Sequence, residues 1–176
     1  IAQEDLFAIG VRALSGAIDP VDAGPAFSAL ADRLLDATLD HVQKAFAQEY
    51  GRVPGGRLAI LAMGKLGSRE MTATSDLDLV IVYDFDEASN ESDGRRPLHA
   101  VQYYTRLTQR LISALTVATR RGPLYEVDMR LRPSGKKGPL AVQLSSMVAY
   151  NRDEAETWEH MALTRARPIC GDASLM

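Results

Sequence analysis

Apolar residues recur three or four positions apart twice near the start of the chain. Leu6, Ile9, Ala13 and Leu14 mark a helix over residues 3–14, and Phe27, Leu30, Leu34, Thr38, Val42, Ala45, Phe46 and Tyr50 mark a longer one. Asp19-Pro20 and Gly24-Pro25 break the pattern between them, and Gly51 with Pro54-Gly55-Gly56 ends the second helix. The period then changes. Residues 58–63 are a continuous apolar run that stops at Gly64; a polar connector holding Gly67 and Ser68 follows, and a second apolar run, 77–83, opens on Asp76 and Asp78. This order predicts strand, glycine turn, short helix, strand.

Downstream, Leu98, Val101, Tyr104, Leu107, Leu111, Leu115 and Ala118 share one face of a helix over 98–119 that Gly122-Pro123 stops. Residues 124–131 alternate, with Tyr125, Val127, Met129 and Leu131 on one face and Glu126, Asp128, Arg130 and Arg132 on the other, so a strand turns its polar face to a cleft. A loop at 134–138 and an extended piece at 139–143 lead to a helix over 146–155 with Ser145 as its cap. A last helix carries Trp158, Met161 and Ala162 inward and ends near Pro168. The fold class is therefore α/β: a short mixed sheet flanked by helices with helical extensions. Residues 1–56 form a helical lead-in that packs beside the sheet or joins a preceding helical domain, and 57–176 form the core.

Alternate side chains of a strand share a face, so Asp76 and Asp78 project from one side about 6 to 7 Å apart. At an effective dielectric of ~20 they repel each other by roughly 2 kcal/mol, and a bound divalent cation reverses that sign. Two carboxylates so placed suit Mg²⁺. The segment 76–80 also fits the haloacid-dehalogenase phosphatase pattern, but there the apolar strand precedes the acids, whereas here it follows them. Gly64 and Gly67 supply neither a Walker phosphate loop nor the three glycines of a dinucleotide fingerprint.

The turn at Gly64-Lys65, with ten residues between Lys65 and Asp76, resembles that of the polymerase-β-like nucleotidyltransferases, although many members carry Gly-Ser where this chain has Gly64-Lys65. That superfamily takes a third carboxylate from a later strand, and Asp128 is placed to be it. The linked wording Met63-Gly64-Lys65-Leu66-Gly67, Ser75-Asp76-Leu77-Asp78-Leu79, Val127-Asp128-Met129-Arg130-Leu131-Arg132-Pro133 and Trp158-Glu159-His160 closely resembles the glutamine synthetase adenylyltransferases over about residues 58–172.

The resemblance implies a polymerase-β-like nucleotidyltransferase fold in which Asp76, Asp78 and Asp128 are the catalytic carboxylates and hold two Mg²⁺ ions. It implies ATP as substrate, contacted by Gly64, Lys65, Gly67, Ser68, Arg130 and Lys136. The acceptor would be a tyrosine of glutamine synthetase, in the service of nitrogen assimilation, with a PII signalling protein as partner of the full-length enzyme. Asp128 would double as general base. The wording at 132–139 and 158–167 resembles the domain that adds AMP rather than the one that removes it by phosphorolysis. A nucleotide-sensing domain without catalysis and small-molecule nucleotidyl transfer are the other classes open to this fold.

Duller readings stand beside several of these. Lys65 reads equally as a triphosphate contact or a solvated loop lysine, and Lys136 and Lys137 as phosphate contacts or solubilising charges. Of Arg130 and Arg132, one is expected to pair with an acid. Glu159 and Arg165 read as a structural ion pair, Trp158 as a core anchor, Cys170 as inert, and the acidic stretch 84–96 as a solvated loop. His41, His99 and His160 lack zinc-ligand spacing.

Composition narrows the classes further. Apolar residues make up 46% of the chain, enough for an ordinary core, and 20 basic against 23 acidic residues give a net charge of −3, with no basic excess to hold nucleic acid. A single cysteine excludes an internal disulfide and suits a reducing cytoplasm; no apolar stretch is long enough to span a bilayer. The start at Ile1 reads as that of a piece of a longer protein.

Overall fold

The computed structural model describes residues 2–118 and 122–176. Helix α1 (Ala2–Leu14) lies against α2 (Pro20–Tyr50), followed by β1 (Arg57–Ala62), the short α3 (Gly64–Gly67), β2 (Leu77–Asp84) and α4 (Ala100–Thr116). After β3 (Val127–Asp128) come β4 (Ala141–Gln143), α5 (Leu144–Asp153), α6 (Thr157–Leu163) and β5 (Arg167–Gly171). The sheet is mixed. β2 pairs antiparallel with β1 and β1 antiparallel with β5, while the far edge of β2 is shared by two parallel partners, β3 at its start and β4 further along.

Both faces of this sheet are covered, which explains why β1 and β2 read as continuous apolar runs. On one face Leu58, Ile60, Leu79, Ile81 and Tyr83 join the main core with Leu35 and Phe46 of α2 and Leu107, Leu111 and Leu115 of α4. On the other, Met63, Val80 and Val82 meet Leu144 and Met147 of α5 and Ala162 and Leu163 of α6. Asp76 and Asp78 continue the Val80, Val82 side, so the acids stand on the α5–α6 face of the sheet.

The glycine–proline pair at 24–25 does not end a helix. α2 runs through it from Asp19, whose side chain accepts from Val21 N–H at 2.9 Å, with Pro20 in the first turn where its missing donor is harmless. Gly24 faces a close neighbour instead: a Cβ there would stand 2.8 Å from the Arg69 carbonyl oxygen. A long apolar stripe carries the helix across the one donor that Pro25 lacks. The helix predicted at 98–119 is α4, which opens after His99; Val101 and Ala118 are exposed, and residue 119 lies outside the described residues.

Beyond α4 three expectations change. The strand predicted over 124–131 pairs only at Val127–Asp128, because the chain then turns around the buried Arg132. Its guanidinium donates to the carbonyl oxygens of Met129 (2.5 Å), Pro139 (2.9 Å), Gly138 (3.3 Å) and Lys136 (3.4 Å), so it ties the 133–139 loop and does not look onto the cleft. α5 begins at Leu144 after Gln143, ahead of the Ser145 cap expected for it.

α6 is short, with a reciprocal cap between Glu156 and Glu159. That phase turns Ala162 and Leu163 inward and leaves Trp158 and Met161 exposed at 56% and 67%, so Trp158 is no core anchor. Glu159 accepts from Tyr150 Oη at 2.9 Å, and Arg165 reaches Glu70 at 3.8 Å, so the expected Glu159–Arg165 pair gives way to these two contacts. The segment around Pro168 is the edge strand β5, with Pro168 beside a bulge against β1, a place that tolerates its missing donor.

Replacing Arg132 with Met keeps most of the side-chain volume and strips four carbonyls of their donor. We expect this to lower stability by about 2 kcal/mol, and Lys136→Ala, on an exposed side chain, to change it by less than about 0.5 kcal/mol. Urea unfolding of the two variants checks the difference.

Candidate active site

Strand pairing assembles an acidic cluster. In the parallel register of β2 and β3, Leu77 sits opposite Val127 and Asp78 opposite Asp128, and Leu77 N–H donates to the Glu126 carbonyl at 2.9 Å. Asp76 stands two residues before Asp78 on the same face. One carboxylate oxygen from each of Asp76, Asp78 and Asp128 lies within 4.8 Å of the others. Oxygens on opposite sides of a bound Mg²⁺ stand about 4 Å apart, so three hard carboxylate donors at this spacing fit such an ion after small side-chain rotations.

The charges around the cluster are uneven. Burial, and then the carboxylates of Asp76 and Asp128, push the Asp78 carboxyl above its ordinary value, against the pull of Arg130 and Lys65. Asp128 goes the other way. The Arg130 side chain bonded to it holds its carboxyl below the usual range: Arg130 N–H donates to Oδ1 at 2.8 Å and Nε to Oδ2 at 2.6 Å, with a second guanidinium nitrogen on the same oxygen. Arg130 thus makes the expected pairing and remains largely exposed beyond it.

The glycine turn is fitted to the acids. Gly64 adopts φ +50°, and a Cβ there would stand 2.2 Å from Asp78 Oδ2, so no side chain can occupy this position while Asp78 keeps its place. Met63 N–H donates to the Asp78 carbonyl oxygen at 2.8 Å. Lys65, on the same turn, is exposed and near enough to lower Asp78's proton affinity, and Lys136 does the same for Asp128 from the 3₁₀ turn Gly135–Lys137. Gly67 serves packing, since a Cβ there would stand 1.9 Å from the Arg165 carbonyl oxygen. Ser68 Oγ is engaged inside the turn, with the Gly64 carbonyl oxygen at 3.1 Å and Glu70 Oε2 at 2.8 Å. Lys65, Gly64, Arg130 and Lys136 thus surround the acids, whereas Gly67 and Ser68 shape the turn.

One clamp escaped the sequence reading. Arg167 of β5 grips Asp32 of α2 with both terminal nitrogens, at 2.9 and 3.0 Å, and donates to the carbonyl oxygens of Leu66 (3.0 Å) and Gly67 (3.2 Å). It fixes the far end of the glycine turn from 100 residues away along the chain, and joins it to α2 through Asp32, 135 residues away. Local spacing carries no signal for such a contact. Cys170 lies buried beside it, its thiol pushed up to about 12 by burial and by Asp36 and Asp32, which keeps it protonated and unreactive.

The glutamate-ammonia ligase adenylyltransferase family model matches residues 1–176. The chain belongs to that family. It is 56% identical over 176 residues to the bifunctional glutamine synthetase adenylyltransferase/adenylyl-removing enzyme of Rhizobium meliloti (strain 1021), covering 100% of this chain and 18% of that protein. The enzyme of the same description from Agrobacterium fabrum (strain C58 / ATCC 33970) is 57% identical over 175 residues, 99% of this chain and 18% of its own length. That from Rhodopseudomonas palustris (strain TIE-1) is 57% identical over 167 residues, 95% of this chain and 17% of its own length. The chain therefore spans about a fifth of the length of these curated relatives. No helix among the described residues of this family member is long and apolar enough to cross a membrane.

The raised Asp78 predicts a sign for stability. A carboxyl whose folded value exceeds its unfolded value makes the ionised fold less stable, so its contribution declines as pH rises through the folded value. In chelator, Asp78→Asn is expected to be more stable than the parent at about neutral pH, with the gap closing as pH falls through the carboxylate range. Thermal melts across that range, read as the difference between the two proteins, check it.

Proposed function

We propose that this chain is the catalytic segment that transfers AMP from MgATP to a tyrosine hydroxyl of glutamine synthetase. The observation that carries the reading is the cluster Asp76, Asp78 and Asp128, built by strand register and closed on one side by a glycine turn that leaves no room for a side chain. The names of the relatives support glutamine synthetase as the protein substrate and adenylyl as the transferred group.

In the proposed site the three carboxylates hold two Mg²⁺ ions, which supply charge neutralisation for the triphosphate and a lowered pKa for the acceptor hydroxyl. Lys65 and Lys136, near Asp78 and Asp128, provide positive charge for the phosphates. Arg130 adds a third cation from its exposed position over Asp128. The acceptor oxygen attacks the α-phosphorus, the bond from that phosphorus to the β-bridging oxygen breaks, and pyrophosphate leaves with the electron pair. The phenolic proton passes to solvent. Asp128 is held ionised by Arg130 and is better suited to ligation than to storing that proton. Positioning and electrostatics account for the rate, with no covalent enzyme intermediate.

The direction of transfer follows the family wording at 132–139 and 158–167, where Lys136 and Lys137 lie in the glycine loop. Removal of AMP by phosphorolysis is the second reading, because the relatives carry both activities in their names. The full-length enzyme is proposed to act in the cytoplasm and to answer to a PII signalling protein. Nucleic acid and membrane have no part in the proposal.

Asp76→Asn and Asp128→Asn are each expected to lower AMP incorporation by at least about 100-fold while leaving the circular dichroism spectrum unchanged. Labelled ATP with unmodified glutamine synthetase reads this directly. A parallel tube with phosphate and adenylylated glutamine synthetase reads the reverse activity, and ADP release there without AMP incorporation in the first tube would assign the chain to removal.

A further inference from the structure

Helix α3, the glycine turn behind Asp78, is one turn long. So short a helix does not offset the cost of its own nucleation and takes its shape from what holds it. Within it Gly67 N–H donates to the Met63 carbonyl oxygen at 2.8 Å, Ser68 N–H to that of Gly64 at 3.1 Å and Glu70 N–H to that of Lys65 at 2.8 Å. The carbonyls of Leu66 and Gly67 close its outer end, and both accept from the guanidinium of Arg167. A cation suits this place, where the carbonyl ends of a helix gather.

Arg167 is aimed by Asp32. The carboxylate accepts from Nη1 at 2.9 Å and from Nη2 at 3.0 Å, which turns Nε toward the Gly67 carbonyl and the remaining Nη2 proton toward that of Leu66. Each side chain of the pair keeps 20% exposure, so a guanidinium released by Asp32 can rotate to water and leave the two carbonyls. α2 meets the same segment a second time, eight residues earlier and about 12 Å back along its axis. There Gly24 lies against the Arg69 carbonyl oxygen, 2.8 Å from where a Cβ would stand. At its inner end the turn has no slack, because a Cβ on Gly64 would stand 2.2 Å from Asp78 Oδ2. A displacement of the outer end is therefore carried to Lys65 and to the space beside Asp78.

We propose that Asp32 is a positioning residue for nucleotide binding: through Arg167 it holds the glycine turn, and with it Lys65, in the form that receives the triphosphate. The proposal rests on the adenylyl-transfer function above and adds α2, a helical lead-in by its sequence, to the working parts of the site. Asp32 touches no reacting atom. It acts on the Gly64 side of the acid cluster, so its effect falls on MgATP and spares the protein substrate. An ion pair removed this far from water adds little net stability over apolar side chains of the same volume. What it adds here is orientation, since only a fork held by a carboxylate points two further N–H groups at two carbonyls in fixed directions.

The test uses the full-length enzyme with MgATP and unmodified glutamine synthetase, and adds amide hydrogen exchange of residues 63–70 measured in chelator without nucleotide. Asp32→Asn is expected to raise KM for MgATP about fivefold, to leave KM for glutamine synthetase within about twofold, and to speed exchange in that segment about tenfold. Arg167→Lys keeps the charge and loses the fork, and is expected to do the same. The double variant is expected to be no worse than the worse single one, because Asp32 acts through Arg167. Asp40→Asn breaks an exposed pair with Lys44 on the same helix and is expected to match the parent in every readout. An unchanged KM for MgATP in Asp32→Asn, with the parent active, overturns the proposal and leaves the function standing, even where the melting temperature falls, because the pair then braces the fold alone. Unchanged exchange in residues 63–70, multiplying effects in the double variant, or equal rises in both KM values also overturn it. A parent enzyme that transfers no AMP to glutamine synthetase overturns the function itself and the assignment of Asp32 with it.

Discussion

Parallel pairing of Leu77–Asp78 with Val127–Asp128 forces like charges together, and much of the surrounding structure answers that constraint. Three carboxylates within 4.8 Å repel one another, the more so at Asp78, which burial also deprives of water. Arg130 offsets part of this from two residues away by binding Asp128 through backbone and side chain. It leaves Asp76 and Asp78 without an equal partner. A site in this state gains from a cation, and the strain is set by backbone register rather than by flexible side chains, so it persists until one arrives.

Holding that register takes anchors outside the cluster, and two arginines supply them. Arg132 gathers four carbonyls just past β3, which ends the strand at Asp128 and turns the chain so that Lys136 comes back near the acids. Arg167 secures the other side, gripping Asp32 and the last carbonyls of the glycine turn. Each satisfies backbone groups that would otherwise lack donors where the chain leaves regular structure. Basic residues around the acid cluster are thus divided, with the buried Arg132 and half-buried Arg167 bracing the backbone and Lys65 and Arg130 left exposed.

This division explains what could be read in the sequence. The acids were legible because strand alternation over three residues places Asp76 and Asp78 on one face, and the turn because an apolar run ends at Gly64. The long helices were legible from their stripes. Alternation failed for Arg132, since it assigns a face only while the strand continues, and the event that ends the strand is Arg132's own burial. β5 was missed because its pairing with β1 and the grip of Arg167 on Asp32 join residues more than 100 positions apart. Trp158 was misplaced because the phase of a seven-residue helix is set by its Glu156–Glu159 cap, and composition says nothing about phase. Gly24-Pro25 misled because a breaker near a capped start is weaker than the apolar stripe behind it.

In-line displacement requires the attacking oxygen and the departing one to approach the phosphorus from opposite sides. A row of acids with one accessible end would crowd both onto the same path. Here the row has two distinct ends. Asp78 abuts the Gly64 turn, with Lys65 exposed beside it, while Asp76 lines a cavity together with Leu6 of α1, Leu124 and Tyr125. Asp128, between them on the neighbouring strand and kept ionised by Arg130, belongs to neither end. The order Gly64 turn, Asp78, Asp76, cavity is imposed by β2 itself, because two residues of extended chain separate the acids by a fixed step along one line. On the proposed function, the strand that brings the charges together also sets the spacing of the carboxylates beside which the adenylyl group would change partners.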